Sequence, residues 1–378
     1  MIAASLKTLK VLAFSALVGG SLIVSTAAHA GKPEPVKSVK KAEEERIPRV
    51  QIALLLDNSG SMQGLLNQAR TQLWAVVNEF REAKQGGKPV RLELALYEYG
   101  DGVKRLSHFT TNLDALSEQL FGLDIRGGAE HCGEVIAKSV KELEWSRHPD
   151  DLKLIYIAGN EPFTQGPVDY REAIADAKKR GITVNTIHCG GDEPSWRDGA
   201  KLAQGGYFTI NHNAQVAQVT APQDAKLAQL SQELNRTYVG YGRQAEESKR
   251  RQERMDSASA SAAPAAAAER AAAKASARYN NAEWDLVDAT RDGKVKVEEL
   301  SDDALPAELK NMKKEERAAH VEAQARKREA LQKEIAQLSE ERRKYLAEAQ
   351  KQKGGEATLD SALSRSVREE GAKKAVSF

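Results

Sequence analysis

The stretch RVQIALLLDNSGSMQG, residues 49–64, joins an apolar run to an acid, an amide and two serines. Val50 to Leu56 read as a strand buried on both faces, of the kind found at the centre of a parallel sheet. Asp57 stands directly after it. The spacing Asp57, Ser59, Ser61 sends three oxygen ligands from one tight turn toward one point above the sheet. A carboxylate with hydroxyls suits a hard divalent cation such as Mg2+, Mn2+ or Ca2+. With nothing bound, a carboxylate at a buried strand end is expensive to desolvate. The plain alternative is that Asp57 and Ser59 cap a helix beginning near Met62, a role that uses one oxygen and not three.

Working outward, GLLNQARTQLWAVVNEFREAK places Leu65, Leu66, Leu73, Val76, Val77 and Phe80 at helical spacing. RLELALYEYG and VKRLSHF flank the turn GDG and form a hairpin. NLDALSEQLFGL has an Asn available as helix cap. Then CGEVIAKSVKELEW is a helix, LKLIYIAGN an apolar strand, and DYREAIADAKKRG a helix closed by Gly181. ITVNTIHCGG, EPSWRDGAKLAQGG and YFTIN read as strand, helix and strand. This alternation predicts an α/β fold: a doubly wound, mainly parallel sheet with one antiparallel edge strand, followed by a largely helical C-terminal region. Such sheets bind ligands at the carboxyl ends of their strands, where Asp57 lies.

DNSGSM, together with this order of elements over residues 49–213, resembles the von Willebrand factor type A domain, and WRDGAKLAQGGYFTIN resembles the last helix and strand of that family. The resemblance implies a metal ion-dependent adhesion site on Asp57, Ser59 and Ser61, with an open coordination position for an acidic side chain of a partner protein. Two departures bear on the ligand set. Ala129, in RGGAEHCGE, stands where the family has Thr, and the resemblance to a subset with an acid one residue later implies Glu130 as the substitute. The family's second Asp falls on Gly159 in IYIAGNEPF, leaving Asn160 or Glu161 to reach the site.

The two cysteines lie in two HC dipeptides, His131 with Cys132 and His188 with Cys189. In an exported protein they most simply form one disulfide, Cys132 to Cys189. The other readings are a zinc site of two His and two Cys, which lacks the usual ligand spacings, and two free buried thiols. G-x-S-x-G, H-E-x-x-H and Walker A motifs are absent, so the expectation is a protein that is not an enzyme.

Export is expected from the start of the sequence. Lys7 and Lys10 precede an apolar run ending in AHA at Ala28 to Ala30, the pattern of a secretory signal peptide over residues 1–30. Its removal takes the formal charge from +2 to zero, a balance that attracts neither nucleic acid nor anionic membrane. No later stretch is apolar for long enough to span a bilayer. The remaining divisions are a flexible leader (31–47), the domain itself (48–215), a helical extension (216–255), an Ala-rich linker (256–280) and a helical tail (281–378). In that tail Asp288, Asp292, Gly293 and Glu299 take EF-hand spacing, but Thr290 and Lys296 are poor ligands, and a turn leading into a helix is the expected structure. Further on, Leu331, Ile335, Leu338 and Tyr345 make a stripe on which Arg328 and Arg342 also fall, suited to a short coiled coil, a helix that docks on a partner, or a charged single helix or disordered tail. Leu359, Leu363 and Val367 mark a last amphipathic segment.

These readings converge on an exported, bacterial periplasmic or secreted module that binds an acidic group of a partner protein through a divalent cation. The alternatives are a metal-free envelope scaffold and a zinc-dependent or catalytic protein built on the two His-Cys pairs.

Overall fold

Val50, Ile52 and Leu56 pack on one side of strand β1 (Arg49–Asp57), and Ala53 and Leu55 on the other, so both sides of the strand are buried. This is the central strand of the sheet. The computed structural model describes residues 46–100, 102–211, 220–353 and 359–378. The expected signal peptide, nearly all of the leader and the boundary near residue 215 lie outside them.

After β1 come helix α1 (Gln63–Glu79), the short strands β2 (Lys84–Gln85) and β3 (Lys88–Pro89), and the hairpin of β4 (Arg91–Gly100) and β5 (Gly102–Thr110). Helices α2 (Leu113–Phe121) and α3 (Cys132–Glu142) lead to β6 (Leu152–Gly159), α4 (Tyr170–Lys179) and β7 (Thr183–His188). Helix α5 (Pro194–Ala203) and β8 (Tyr207–Thr209) complete the alternation. The main sheet has the order β5-β4-β1-β6-β7-β8. Every pairing is parallel except β4 with β5, which places the one antiparallel strand at an edge. The expected fold class and hairpin are therefore those observed.

Helices α3, α4 and α5 cover one face of the sheet through Val135, Ile136, Ile174 and Trp196. Helices α1 and α2 begin to cover the other, and the C-terminal region finishes it. That region comprises α6 (Asp224–Asn235), α7 (Ala245–Ala262), α8 (Pro264–Lys274), α9 (Leu286–Arg291), α10 (Ala307–Lys310), the long α11 (Lys314–Lys353), α12 (Leu359–Lys373) and a last strand, β9 (Val376–Ser377). Leu227 and Leu230 of α6, Ala268 and Ala271 of α8, Leu331 and Ile335 of α11, and Leu363 and Val367 of α12 share one core with β1 and α1. Residues Ile47–Phe378 make one compact unit.

The Ala-rich stretch expected as a linker or a marginal solvated helix is thus packed, as the end of α7 and the whole of α8. Its alanines leave room for close approach, and two long cations placed among them, Arg270 and Lys274, are almost wholly buried. Arg270 pairs with Asp114 at 2.7 Å and lies over the Trp74 ring, while Lys274 pairs with Asp256 at 2.7 Å. Flanked by both cations, Asp256 is held down at about 2 despite its burial.

The tail likewise docks on its own domain. Arg328 and Arg342, which interrupt the apolar stripe of α11, are buried ion-pair residues. Arg328 reaches Asp285 at 2.6 Å and Asp288 at 3.1 Å, and Arg342 reaches Asp224 at 2.6 Å. On α12, Ser366 bonds the Tyr156 hydroxyl at 3.0 Å and the Asn185 amide oxygen at 3.1 Å, fixing the helix to β6 and β7. Strand β9 then pairs with β2. The EF-hand spacing folds not as a turn leading into a helix but as helix α9, which holds Asp288, followed by a turn at Asp292 and Gly293. Asp288 accepts from the Asn281 amide and Arg328, Asp292 from Asn280, and Glu299 meets Lys296.

Candidate metal centre

The parallel strands β1, β6 and β7 end together, and the loops that follow them form one surface. Asp57 closes β1 with no solvent exposure. Its Oδ1 accepts from the Ser59 amide at 2.7 Å, so the side chain folds over its own turn. No side chain caps the start of α1, which rules out the capping role as the reason for this motif. The turn is fixed from below. Asn58 takes a backbone bond from its amide to Tyr99 O at 2.9 Å, and its side chain donates to Glu98 at 3.0 Å. Its carbonyl accepts from the Arg126 amide at 2.7 Å.

Two polar atoms at this point are buried and lack a hydrogen-bond partner: Asp57 Oδ2 and Ser59 Oγ. Glu130, 4% exposed, stands beside them. Its Oε2 accepts from the Glu161 amide at 3.2 Å. Burial first, and the neighbouring Glu130 second, push the Asp57 carboxyl up to about 8 from an ordinary 3.8. Two acids side by side in a buried setting either share a proton or need a cation between them. Ser61 is exposed, and its hydroxyl donates to Asn160 Oδ1 at 3.3 Å.

The sequence-derived ligands are therefore brought together in part. Asp57, Ser59 and Glu130 form the buried group, with Ser61 and Asn160 bonded at its rim. Glu161 comes to the same place through its backbone, but its carboxylate accepts from Gln165 Nε2 at 3.2 Å. Gly159 admits no side chain: a Cβ there would lie 2.4 Å from the Tyr99 hydroxyl and 3.0 Å from Asp57 Oδ2. Sequence reasoning missed Gln165 and Tyr99. Neither belongs to the motif, and their proximity depends on tertiary structure alone.

The orphaned oxygens and the acidic, all-oxygen donor set fit a hard divalent cation. Asp57, Ser59 and Glu130 would hold it, with Ser61 and Asn160 at its edge, and the ion would supply a positive centre facing the surface. Among the described residues no group of three or more His, Cys, Asp and Glu side chains is arranged to hold a metal, so the hydroxyls are needed to complete the set.

The expected disulfide is not formed. Cys132 and Cys189 are free and buried. They belong to the cores on opposite faces of the sheet, Cys132 to that of Leu55 and Tyr97 and Cys189 to that of Leu56 and Met62. The zinc arrangement fails for the same reason. His131 turns to Glu134 at 3.2 Å, and His188 sits between the carbonyls of Gly191 (2.6 Å) and Asn160 (3.0 Å). Burial pushes both thiols up, away from the thiolate that a zinc ligand or nucleophile requires.

A mainly parallel six-stranded sheet whose first strand ends in Asp-x-Ser-x-Ser defines a class, and the family comparison agrees. Residues 51–236 match the model of the von Willebrand factor type A domain, and the chain carries such a domain. Solved structures similar to it include a von Willebrand factor type A protein from Catenulispora acidiphila (17% identity, TM-score 0.36, 43% of this chain and 39% of that one). Another is the conserved hypothetical protein BatB from Bacteroides thetaiotaomicron (16% identity, TM-score 0.36, 43% of this chain and 90% of that one). A third is proximal thread matrix protein 1 from the mussel byssus with a zinc-occupied MIDAS motif (11% identity, TM-score 0.36, 45% of this chain and 43% of that one). The chain thus spans less than half the length of the first and third of these. No curated protein matches it. No helix among the described residues is long and apolar enough to cross a membrane.

Proposed function

We propose that this domain is an exported, non-enzymatic protein-binding module whose contact with a partner is made through a divalent cation, Mg2+, Mn2+ or Ca2+. The reading rests on one observation, the pair of buried unpartnered oxygens, Asp57 Oδ2 and Ser59 Oγ, next to the Glu130 carboxylate. Leaving such groups unsatisfied is costly, and a cation satisfies all three at once. Asp57 and Glu130 neutralise a divalent ion, and the exposed side at Gly60 and Ser61 leaves it open to an acidic group of the partner. A metal-free scaffold is the second reading, supported by Gly159, where no further ligand can be mounted.

The two are separated by calorimetric titration of Mg2+, Mn2+ and Ca2+ into chelator-stripped protein and into Asp57→Ala. Saturable binding lost in the variant is the expected result. A folded wild type that binds none of the ions leaves the scaffold. Acetate then serves as the smallest carboxylate probe. On the Mn2+-loaded protein it should displace bound water and lower the water proton relaxation rate, and an unchanged rate argues against an acidic partner.

A further inference from the structure

Three hydrogen bonds close a ring across the mouth of the candidate site. The Glu130 amide donates to Gln165 Oε1 at 3.3 Å, Gln165 Nε2 donates to Glu161 Oε2 at 3.2 Å, and the Glu161 amide donates to Glu130 Oε2 at 3.2 Å. The ring joins the turn that carries Glu130 to the loop after β6. We propose that Gln165 is a positioning residue for the cation site, its amide tying these two loops so that Glu130 is presented to the cation and Glu161 is withheld from it. The inference rests on the cation-binding reading above and adds to it a residue that touches no cation.

The chemistry of the side chain explains the choice. A carboxamide offers an acceptor to a backbone N–H and a donor to a carboxylate from one rigid plane. A Glu at 165 would face Glu161 with like charge, and an Asn is one methylene short. Gln165 is itself anchored, its amide donating to Pro162 O at 3.3 Å. The loop around it is held independently: Trp196 Nε1 donates to Glu161 O at 2.7 Å, and the Phe163 amide donates to Ser195 Oγ at 2.9 Å. Gln165 therefore reaches across from a fixed loop to a turn whose tip, Arg126 to Ala129, is exposed.

Withholding Glu161 has an electrostatic purpose. Two carboxylates balance a divalent cation. A third at the same point makes the site net negative and repels an incoming carboxylate, because like charges brought together at an interface oppose binding. Gln165 thus sets both how firmly the ion is held and what it accepts.

The test is Mn2+ affinity of the full chain by calorimetry for wild type, Gln165→Met, Gln165→Ala and Glu161→Gln, with melting of each cation-free protein as the control. Gln165→Met keeps the length of the side chain and removes its polar atoms. It should leave cation-free melting within about 2 °C of wild type and weaken Mn2+ binding roughly tenfold or more, and Gln165→Ala should do the same. Glu161→Gln still offers an acceptor to Gln165 and should stay within about twofold. The acetate response should also fall in Gln165→Met and return in Gln165→Met/Glu161→Gln. Unchanged Mn2+ affinity in a folded Gln165→Met overturns the inference. Absence of Mn2+ binding in wild type instead overturns the reading on which it rests.

Discussion

Removing the cation should make this domain less stable as pH rises. The Asp57 carboxyl, raised to about 8 in the folded chain against 3.8 ordinarily, retains a proton that the unfolded chain releases. Below 3.8 both states are protonated and the residue contributes nothing to pH dependence. Between 3.8 and about 8 the native state binds one proton more, so stability falls by about 1.4 kcal/mol per pH unit, and above 8 it levels off. The full window amounts to something on the order of 5 kcal/mol, a large part of the stability of an ordinary domain. The comparison is with Asp57→Asn, which keeps the oxygen that accepts from Ser59 and replaces the orphaned Oδ2 by a donor facing Glu130. Urea unfolding in chelator from pH 5 to pH 8 should show wild type losing roughly 4 kcal/mol relative to the variant. Saturating Mg2+ should suppress that loss, because the ion binds the deprotonated acid. Parallel pH curves for the two proteins, or a wild type that gains on the variant as pH rises, would refute the assignment of this acid.

Other parts of the molecule make separate predictions. Arg328→Met leaves Asp285 buried and unpaired and should lower unfolding free energy by about 3–5 kcal/mol in urea melts. A loss under 1 kcal/mol would mean that α11 is not held by that pair. Gly159→Ala puts a methyl group against the Tyr99 hydroxyl and Asp57, and should lower the melting temperature, while Tyr99→Phe in the same chain should recover part of the loss. Thiol titration should find no reactive cysteine in the native protein and two in denaturant without reductant, and a bridged pair would instead show none in either state.

The sheet and the motif were legible because they depend on local periodicity and local spacing. A buried run followed by Asp-x-Ser-x-Ser needs no distant partner to be read, nor does the hairpin around Gly100 and Gly102. The C-terminal region was legible as helix and not as core. Arg270 and Lys274 sit among alanines, and their partners lie elsewhere, Asp114 of Arg270 far away in sequence and Asp256 of Lys274 on the preceding helix, so a buried salt network looks like a solvated low-complexity helix. Arg328 and Arg342 mislead in the same way, since charge on an apolar stripe reads as exposure until the facing acids are known. The cysteines were misjudged for another reason. Two cysteines in an exported chain imply a pair by number alone, but the side of the sheet each thiol enters is set by tertiary packing.

The docking of α12 and β9 also fixes when the fold can be finished. The strands of the main sheet are complete by Thr209, yet one face of that sheet stays partly uncovered until Leu359, Leu363 and Val367 arrive. At ribosomal speeds those last helical turns follow by roughly 10–30 s, given some 150 intervening residues. During that interval an emerging chain carries a formed sheet edge and an open apolar surface, the condition in which chaperones are recruited or chains exchange segments. A protein assembled in this order completes its core only once α12 has been made.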